Sequence, residues 1–260
     1  MDKFITFSHS GEEFGYFFTK NHFLLLFISL VVIIFFSMYF SRQKTKVQKI
    51  FVGVSFFVLL VLEGLRIFWR YKYLEFHGLS LDFISVTSLD FFSLSLWISL
   101  PLILIGAIIK NKKNHSVFGL NFVFNITMLA AIITLIYPEG ININFDFFHC
   151  YNLMYTLERS LIVMLGLFFA FAKWISVAEF KDLWKSLLSL FVFGIICITI
   201  GFVMGEEINL FYVFNCPLFD SLGIYMAFPW HLLVIAAFLF VFQIFLYIPF
   251  NTAKRMKYKK

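Results

Sequence analysis

Seven stretches of this chain, 23–41, 50–69, 84–109, 117–137, 146–172, 187–204 and 230–250, are long and apolar enough, or nearly so, to cross a bilayer as helices. A helix needs about 20 mostly apolar residues for that crossing. Lipid offers backbone N–H and C=O groups no partners, so each run must satisfy its own hydrogen bonds internally. The expected fold is therefore all-α: a polytopic membrane helix bundle of about seven transmembrane helices in a single integral membrane domain, 1–260. Composition agrees, with 61% hydrophobic residues, 14% charged residues and a mean hydropathy of +0.90, far from the balance of a soluble domain. The 40 phenylalanines partly reflect AT-rich coding, and nearly all are read as lipid-facing or packing residues. No cleavable signal peptide is expected, because the polar start lacks a basic region followed directly by an apolar core.

Orientation follows from where Lys and Arg fall, since cytoplasmic loops collect them. With the C-terminus cytoplasmic, one side gathers Arg42, Lys44, Lys46 and Lys49, then Lys110, Lys112 and Lys113, then Lys173, Lys181 and Lys185, and finally the basic tail 251–260. The other side holds Lys3, Lys20, Arg70 and Lys72. Seven spans with the N-terminus outside satisfy the rule at every loop, and an even number spoils it. The expected location is the cell membrane, with 1–22 outside and His22 solvated at the threshold of the first helix. The net charge of +6 marks loop orientation and not a nucleic-acid face. Cys150, Cys197 and Cys216 show no CxxC spacing and make no metal set, so neither a metal nor another cofactor is expected.

Against this apolar background the embedded charges are the informative residues, because an ionisable side chain at membrane depth is expensive and by default suggests a functional site. Glu63 and Arg66 interrupt the second run at i,i+3 spacing, which places them on one helical face, able to pair. Asp90 falls about 9 Å into the third helix at 1.5 Å per residue, among Thr87, Ser88, Ser93 and Ser95, and Pro101 should kink that helix further on. Asn121 and Asn125 share a face of the fourth, a spacing suited to interhelical hydrogen bonding. The fifth carries His149, Cys150, Asn152, Glu158 and Arg159. Adjacent helical residues point about 100° apart, so Glu158 and Arg159 are expected to seek partners on other helices. For the same reason His149 and Cys150 are read as unrelated interface residues and not as a thiolate–imidazole pair. Residues 173–186 read as an inside loop with an amphipathic turn, and 205–229 as a lid before Trp230 and His231 at the last helix.

Three acids (Glu63, Asp90, Glu158) then face two bases (Arg66, Arg159). If all converge, one carboxyl must be protonated or meet a cation. The expected site is a polar pocket between the second, third and fifth helices, opening toward the outer leaflet and roofed by 205–231. Its candidate binding residues are Glu63, Arg66, Asp90, His149, Asn152, Glu158, Arg159 and His231; no catalytic residue is assigned.

The order of motifs resembles the YwaF-type family of bacterial integral membrane proteins, which is distantly similar to an animal membrane acyltransferase acting on ether phospholipids. The matching features are His22, Glu63-x-x-Arg66-x-x-Trp69, Ser93-Leu-Ser95-Leu-Trp97, Tyr137-Pro138, Asn209-x-x-Tyr212 with Pro217, and Pro229-Trp230. The resemblance implies a Leu-Pro-Leu-His-x-Cys entry to the third helix, where this chain has Thr87-Ser-Leu-Asp90-Phe-Phe92. It places a further His at or near Arg159. A Phe is no nucleophile, so cysteine-based acyl transfer does not carry over. Three readings stay open: a protein binding membrane lipid or a small molecule, a transporter or its substrate-binding membrane subunit with a cytoplasmic or membrane protein partner, and, ranked last, a lipid-modifying enzyme using Glu158, Asp90 or His149 as acid or base. Nucleic acid is not an expected partner.

Overall fold

A computed structural model describes residues 19–87, 89–110, 117, 119–137, 149–177, 180–204 and 230–257. Among these, the secondary structure is helical: α1 (Lys20–Ser41), α2 (Thr45–Phe76), a short α3 (Phe83–Thr87), α4 (Phe91–Ile109), α5 (Leu120–Ile136), α6 (Cys150–Phe171), α7 (Phe180–Met204) and α8 (Trp230–Lys257). Five are long and apolar enough to cross a membrane: α1, α2, α4, α6 and the Asp182–Val203 part of α7. The remaining two expected spans correspond to shorter apolar helices, Leu120–Ile136 and Ala236–Phe250. The expected 84–109 helix is divided, with α3 ending at Thr87 and α4 beginning at Phe91. Asp90 is therefore not embedded in a helix but stands immediately before one. The loop expected over 173–186 ends early, because α7 already starts at Phe180. The chain forms two compact units, one of residues 1–88 and 92–175, the other of 89–91 and 176–260.

In the first unit, α2 runs 32 residues, about 48 Å, well beyond the ~30 Å hydrocarbon core. Its buried residues include Gln48, Val52, Ser55, Leu59, Glu63, Arg66, Trp69 and Tyr73, steps of three and four that make a single stripe. The other faces expose Ile50, Val54, Phe57, Leu60, Val61, Leu65 and Phe68. This apolar surface continues past Glu63 and Arg66 on both sides, so the pair lies within the lipid-facing band. Gly78, at φ 64°, ends α2 in the left-handed conformation that glycine adopts without strain, with Leu79 N–H donating to the Leu74 carbonyl at 3.0 Å.

Helix α6 packs against α1, α2 and α5. Ser37 of α1 donates to the Met164 carbonyl at 2.9 Å, and Gly166 admits Met128, which a Cβ there would meet at 2.6–3.0 Å. His22 is not solvated as expected. It is 1% exposed, and its Nε2 lies 3.1 Å from the Leu135 carbonyl, in the last turn of α5, where carbonyls lack helical donors. At the far end of α6, Lys173 adopts φ 58°. The same bond pattern as at Gly78, Trp174 N–H to Phe169 O at 2.8 Å, seats a fully buried Trp174 whose indole donates to Gln48 at 2.9 Å. Lys110 closes this end by donating to the Lys173 carbonyl at 3.2 Å; burial pushes its ammonium below the ordinary lysine value.

Two neighbouring helices are irregular. Pro101 lies inside α4, removing an N–H from the ladder. Helix α5 contains a π-turn over Val123–Thr127, all buried, so the even α-spacing expected for Asn121 and Asn125 does not hold. The π-turn is tied to α4: the Ser99 and Thr127 hydroxyls are 2.5 Å apart, and Thr127 also donates to the Ser95 carbonyl at 3.2 Å. Non-α backbone at membrane depth is tolerated where protein supplies such partners.

In the second unit, α7 packs against α8. Buried Asp182 accepts from Ser176 at 2.8 Å, Ser186 and Tyr247 hydroxyls are hydrogen-bonded, and Phe91 packs tilted on Phe193.

Candidate functional site

The stripe on α2 delivers Glu63 and Arg66 to α4 and α6. Arg66 grips Glu63 with two bonds, Nε to Oε2 at 2.8 Å and a terminal nitrogen to Oε1 at 2.9 Å. This is the i,i+3 pairing expected from sequence. The same terminal nitrogen donates to the Thr87 carbonyl and the Ser93 hydroxyl, each at 3.2 Å. Trp97 of α4 donates its indole N–H to Glu63 Oε1 at 2.6 Å. Glu63 is 5% and Arg66 2% exposed, so a removed partner would leave a charge without water or a counterion.

From α6, Glu158 Oε2 comes within 3.9 Å of Arg66 Nε and within 3.1 Å of Arg159. The latter contact corrects the sequence reading: although the two Cβ positions diverge on the helix, the long guanidinium curls back to its neighbour's carboxylate. The expectation of partners on other helices also holds. Arg159 Nε donates to Thr134 of α5 at 3.1 Å, and its guanidinium lies over the rings of Phe92 of α4 and Tyr155, 4.2 and 3.2 Å from their centroids. Such desolvated cation–π contacts add about 2 kcal/mol each. Both α6 charges are 1% exposed.

The structure thus brings Glu63, Arg66, Glu158 and Arg159 together as two acids and two bases. The Glu63 and Glu158 carboxyls are also hydrogen-bonded to each other, a contact between two acids that takes a proton between them. His149 sits at the N-terminus of α6, 1% exposed, where its Nδ1 accepts the Tyr151 N–H at 3.2 Å. That bond occupies one ring nitrogen as a helix cap. The ring stands edge-on to Trp69, which stacks on Tyr73 and meets Tyr151 at a tilt, and half-buried Cys150 packs on this group. Asn152 is buried one turn before Thr156 on the same helix. Asp90, half-buried, and His231, in the first turn of α8, are residues of the second unit; the His231 side chain lies outside the described residues, as do the 205–229 lid, Pro138 and Cys216. Among the described residues no group of His, Cys, Asp and Glu could hold a metal.

Sequence reasoning missed Trp97, Thr134 and Tyr155 as parts of this cluster. Trp97 carried a signal, because a mid-span indole N–H needs an acceptor. Thr134 and Tyr155 carried none, since a threonine or tyrosine in an apolar run satisfies itself on its own helix as readily as it reaches a neighbour.

A sequence model of the TMEM164 family matches residues 17–247. No curated protein and no solved structure matches the chain significantly.

Proposed function

Because this chain belongs to the TMEM164 family of multi-pass membrane proteins, we propose that it binds a lipid or small solute non-covalently at the buried charge cluster. The observation that carries this reading is the assembly of Glu63, Arg66, Glu158 and Arg159, all buried, inside the lipid-facing band. Ionisable side chains at that depth are expensive and by default mark a functional site. The YwaF-type resemblance adds a second support. The positions that resemblance assigns to Cys and His are Phe92 and Arg159, and these two side chains touch. A ring packed on a guanidinium occupies the place of a nucleophile and base, which speaks against cysteine-based acyl transfer. Seven crossings with the N-terminus outside in the cell membrane, as the Lys and Arg distribution suggests, complete the proposal. The partners it implies are membrane lipid and a small-molecule substrate.

Native mass spectrometry of the protein extracted in native lipid tests the reading. A defined ligand should remain on the wild type and be lost from a folded Glu158→Gln variant. Only interchangeable bulk lipid on both would overturn it.

A transporter, or the membrane subunit of one with a protein partner, is the second reading, favoured by the buried π-turn of α5, which bonds to the Pro101-containing α4 through Thr127. Interrupted helices side by side at depth are a transporter feature, and solute uptake by proteoliposomes would distinguish it.

A further inference from the structure

We infer that the contact between α2 and α6 is an exchangeable proton-binding site, in which Glu63 and Glu158 hold one proton between them. A proton needs no cavity, and the site stands whether or not a lipid or solute binds beside it. The two carboxyls are hydrogen-bonded to each other, and two ionised carboxylates cannot be, since each offers only acceptors. One of them therefore carries an O–H. Three N–H groups already aim at Glu63, two from Arg66 at 2.8 and 2.9 Å and the Trp97 indole at 2.6 Å. Glu63 is thus the acceptor of the shared bond and Glu158 its donor. Arg66 stands 3.9 Å from Glu158, beyond hydrogen-bond reach, so it does little to hold a second carboxylate there. Both acids are buried, at 5% and 1% exposure, where repulsion between two touching carboxylates is amplified.

The surroundings leave this proton as the one that can change. From α2 the pair meets Arg66, and from α6 it meets Arg159, with Tyr155 against Arg159 and Tyr151 acting on Arg66. Arginine and tyrosine keep their charge state across the range where carboxyls titrate. Helices α4 and α5 contribute neutral groups, Ser93, Trp97 and Thr134, and on α1 His22 is bonded at the Leu135 carbonyl, next to Thr134. A way out lies along α3. The Arg66 guanidinium bonds the Thr87 carbonyl at 3.2 Å, and α3 leads back from Thr87 to Phe83, about 7 Å of helix. Before it stands exposed Asp82, which binds Ser80 and Ser85. On release the Glu158 O–H bond breaks, its electron pair stays on the carboxylate and the proton passes to water. The cluster then changes from two guanidiniums against one carboxylate to two against two. Carboxyls at membrane depth serve as proton relays in this way.

The test is infrared spectroscopy of the full chain near neutral pH, in a maltoside detergent that has no ester carbonyl, reading the C=O stretch of a protonated carboxyl. The wild type should show this band, shifted in D2O and lost reversibly as pH is raised. Glu158→Gln and Glu63→Gln should each abolish it. The first removes the donor; the second removes the carboxylate that accepts, leaving Glu158 to ionise against two guanidiniums. Loss in both single variants is the signature of one proton held by two acids. A wild type without the band, a band that does not move in D2O, or a band that persists in Glu63→Gln overturns the inference. Where a Gln variant does not fold, Glu158→Asp, which keeps the carboxyl, decides: a moved band supports the site and an unchanged band overturns it. Ligand retention is a separate readout, so failure here leaves the binding reading standing.

Discussion

Replacing Glu63 by Gln removes the carboxylate that Arg66 holds with bonds of 2.8 and 2.9 Å. Arg66 is 2% exposed, and its next carboxylate, Glu158, stands 3.9 Å away and is shared with Arg159. The buried guanidinium is then left without full compensation. Breaking such a pair on one side costs about 3–5 kcal/mol in soluble proteins, and about 3 kcal/mol is expected here because an unfolded chain in lipid also finds partners. Arg66→Met should cost a similar amount, by stranding Glu63 with the Trp97 indole as its remaining donor. The double variant Glu63→Gln, Arg66→Met removes both charges and leaves the Glu158–Arg159 pair in place. Its principal loss is the strength of the Trp97 bond, about 1 kcal/mol. A double-mutant cycle by reversible unfolding in bicelles should therefore give a coupling of about 4–5 kcal/mol, with the double variant more stable than either single one. Single variants within about 0.5 kcal/mol of wild type, or a double variant equal to their sum, would refute the reasoning.

Gly166→Ala places a Cβ 2.6 Å from Met128 Sδ and should destabilise by about 1–3 kcal/mol. Gly64→Ala on the open side of α2, with nothing within 4 Å, should be neutral or stabilising by about 0.5–1 kcal/mol; thermal unfolding of the two variants side by side checks the contrast. Lys173→Gly relieves the left-handed backbone at φ 58° and should stabilise by about 1 kcal/mol in the same assay; a lower melting temperature would contradict it. The Ser85 backbone N–H, followed by the Ser80 and Ser85 hydroxyls, holds the Asp82 carboxyl down at about 2. A depressed carboxyl contributes stability above its ordinary range near 3.8 and loses it as pH falls toward about 2. Amide exchange in α3 should rise across that window and lose its pH dependence in Asp82→Asn.

The stripe on α2 shows how much was readable beforehand. Glu63 and Arg66 sit in a repeat of three and four steps that also contains Gln48, Ser55 and Tyr73, and helical geometry alone puts the two charges on one face. Glu158 and Arg159 show the limit. Their backbone directions diverge, as expected, yet they bond at 3.1 Å, because side-chain reach exceeds what Cβ direction implies. His22 shows it again: nothing local distinguishes a solvated interfacial His from one that closes the end of α5 at Leu135, 113 residues away. The π-turn was hidden for a related reason. It reconciles Thr127 on Ser99 with Thr134 on Arg159, a demand set by two other helices and absent from the α5 sequence.

By itself the sequence determined the helical class, the membrane setting and the presence of embedded charges, since length, hydropathy and spacing act through the backbone and the lipid solvent. Only the tertiary structure decided which charges meet, that Trp97 and Thr134 complete them, and that Glu63 and Glu158 face each other. Those outcomes depend on which helices lie side by side, and a polar atom in lipid settles wherever a neighbouring helix offers its complement.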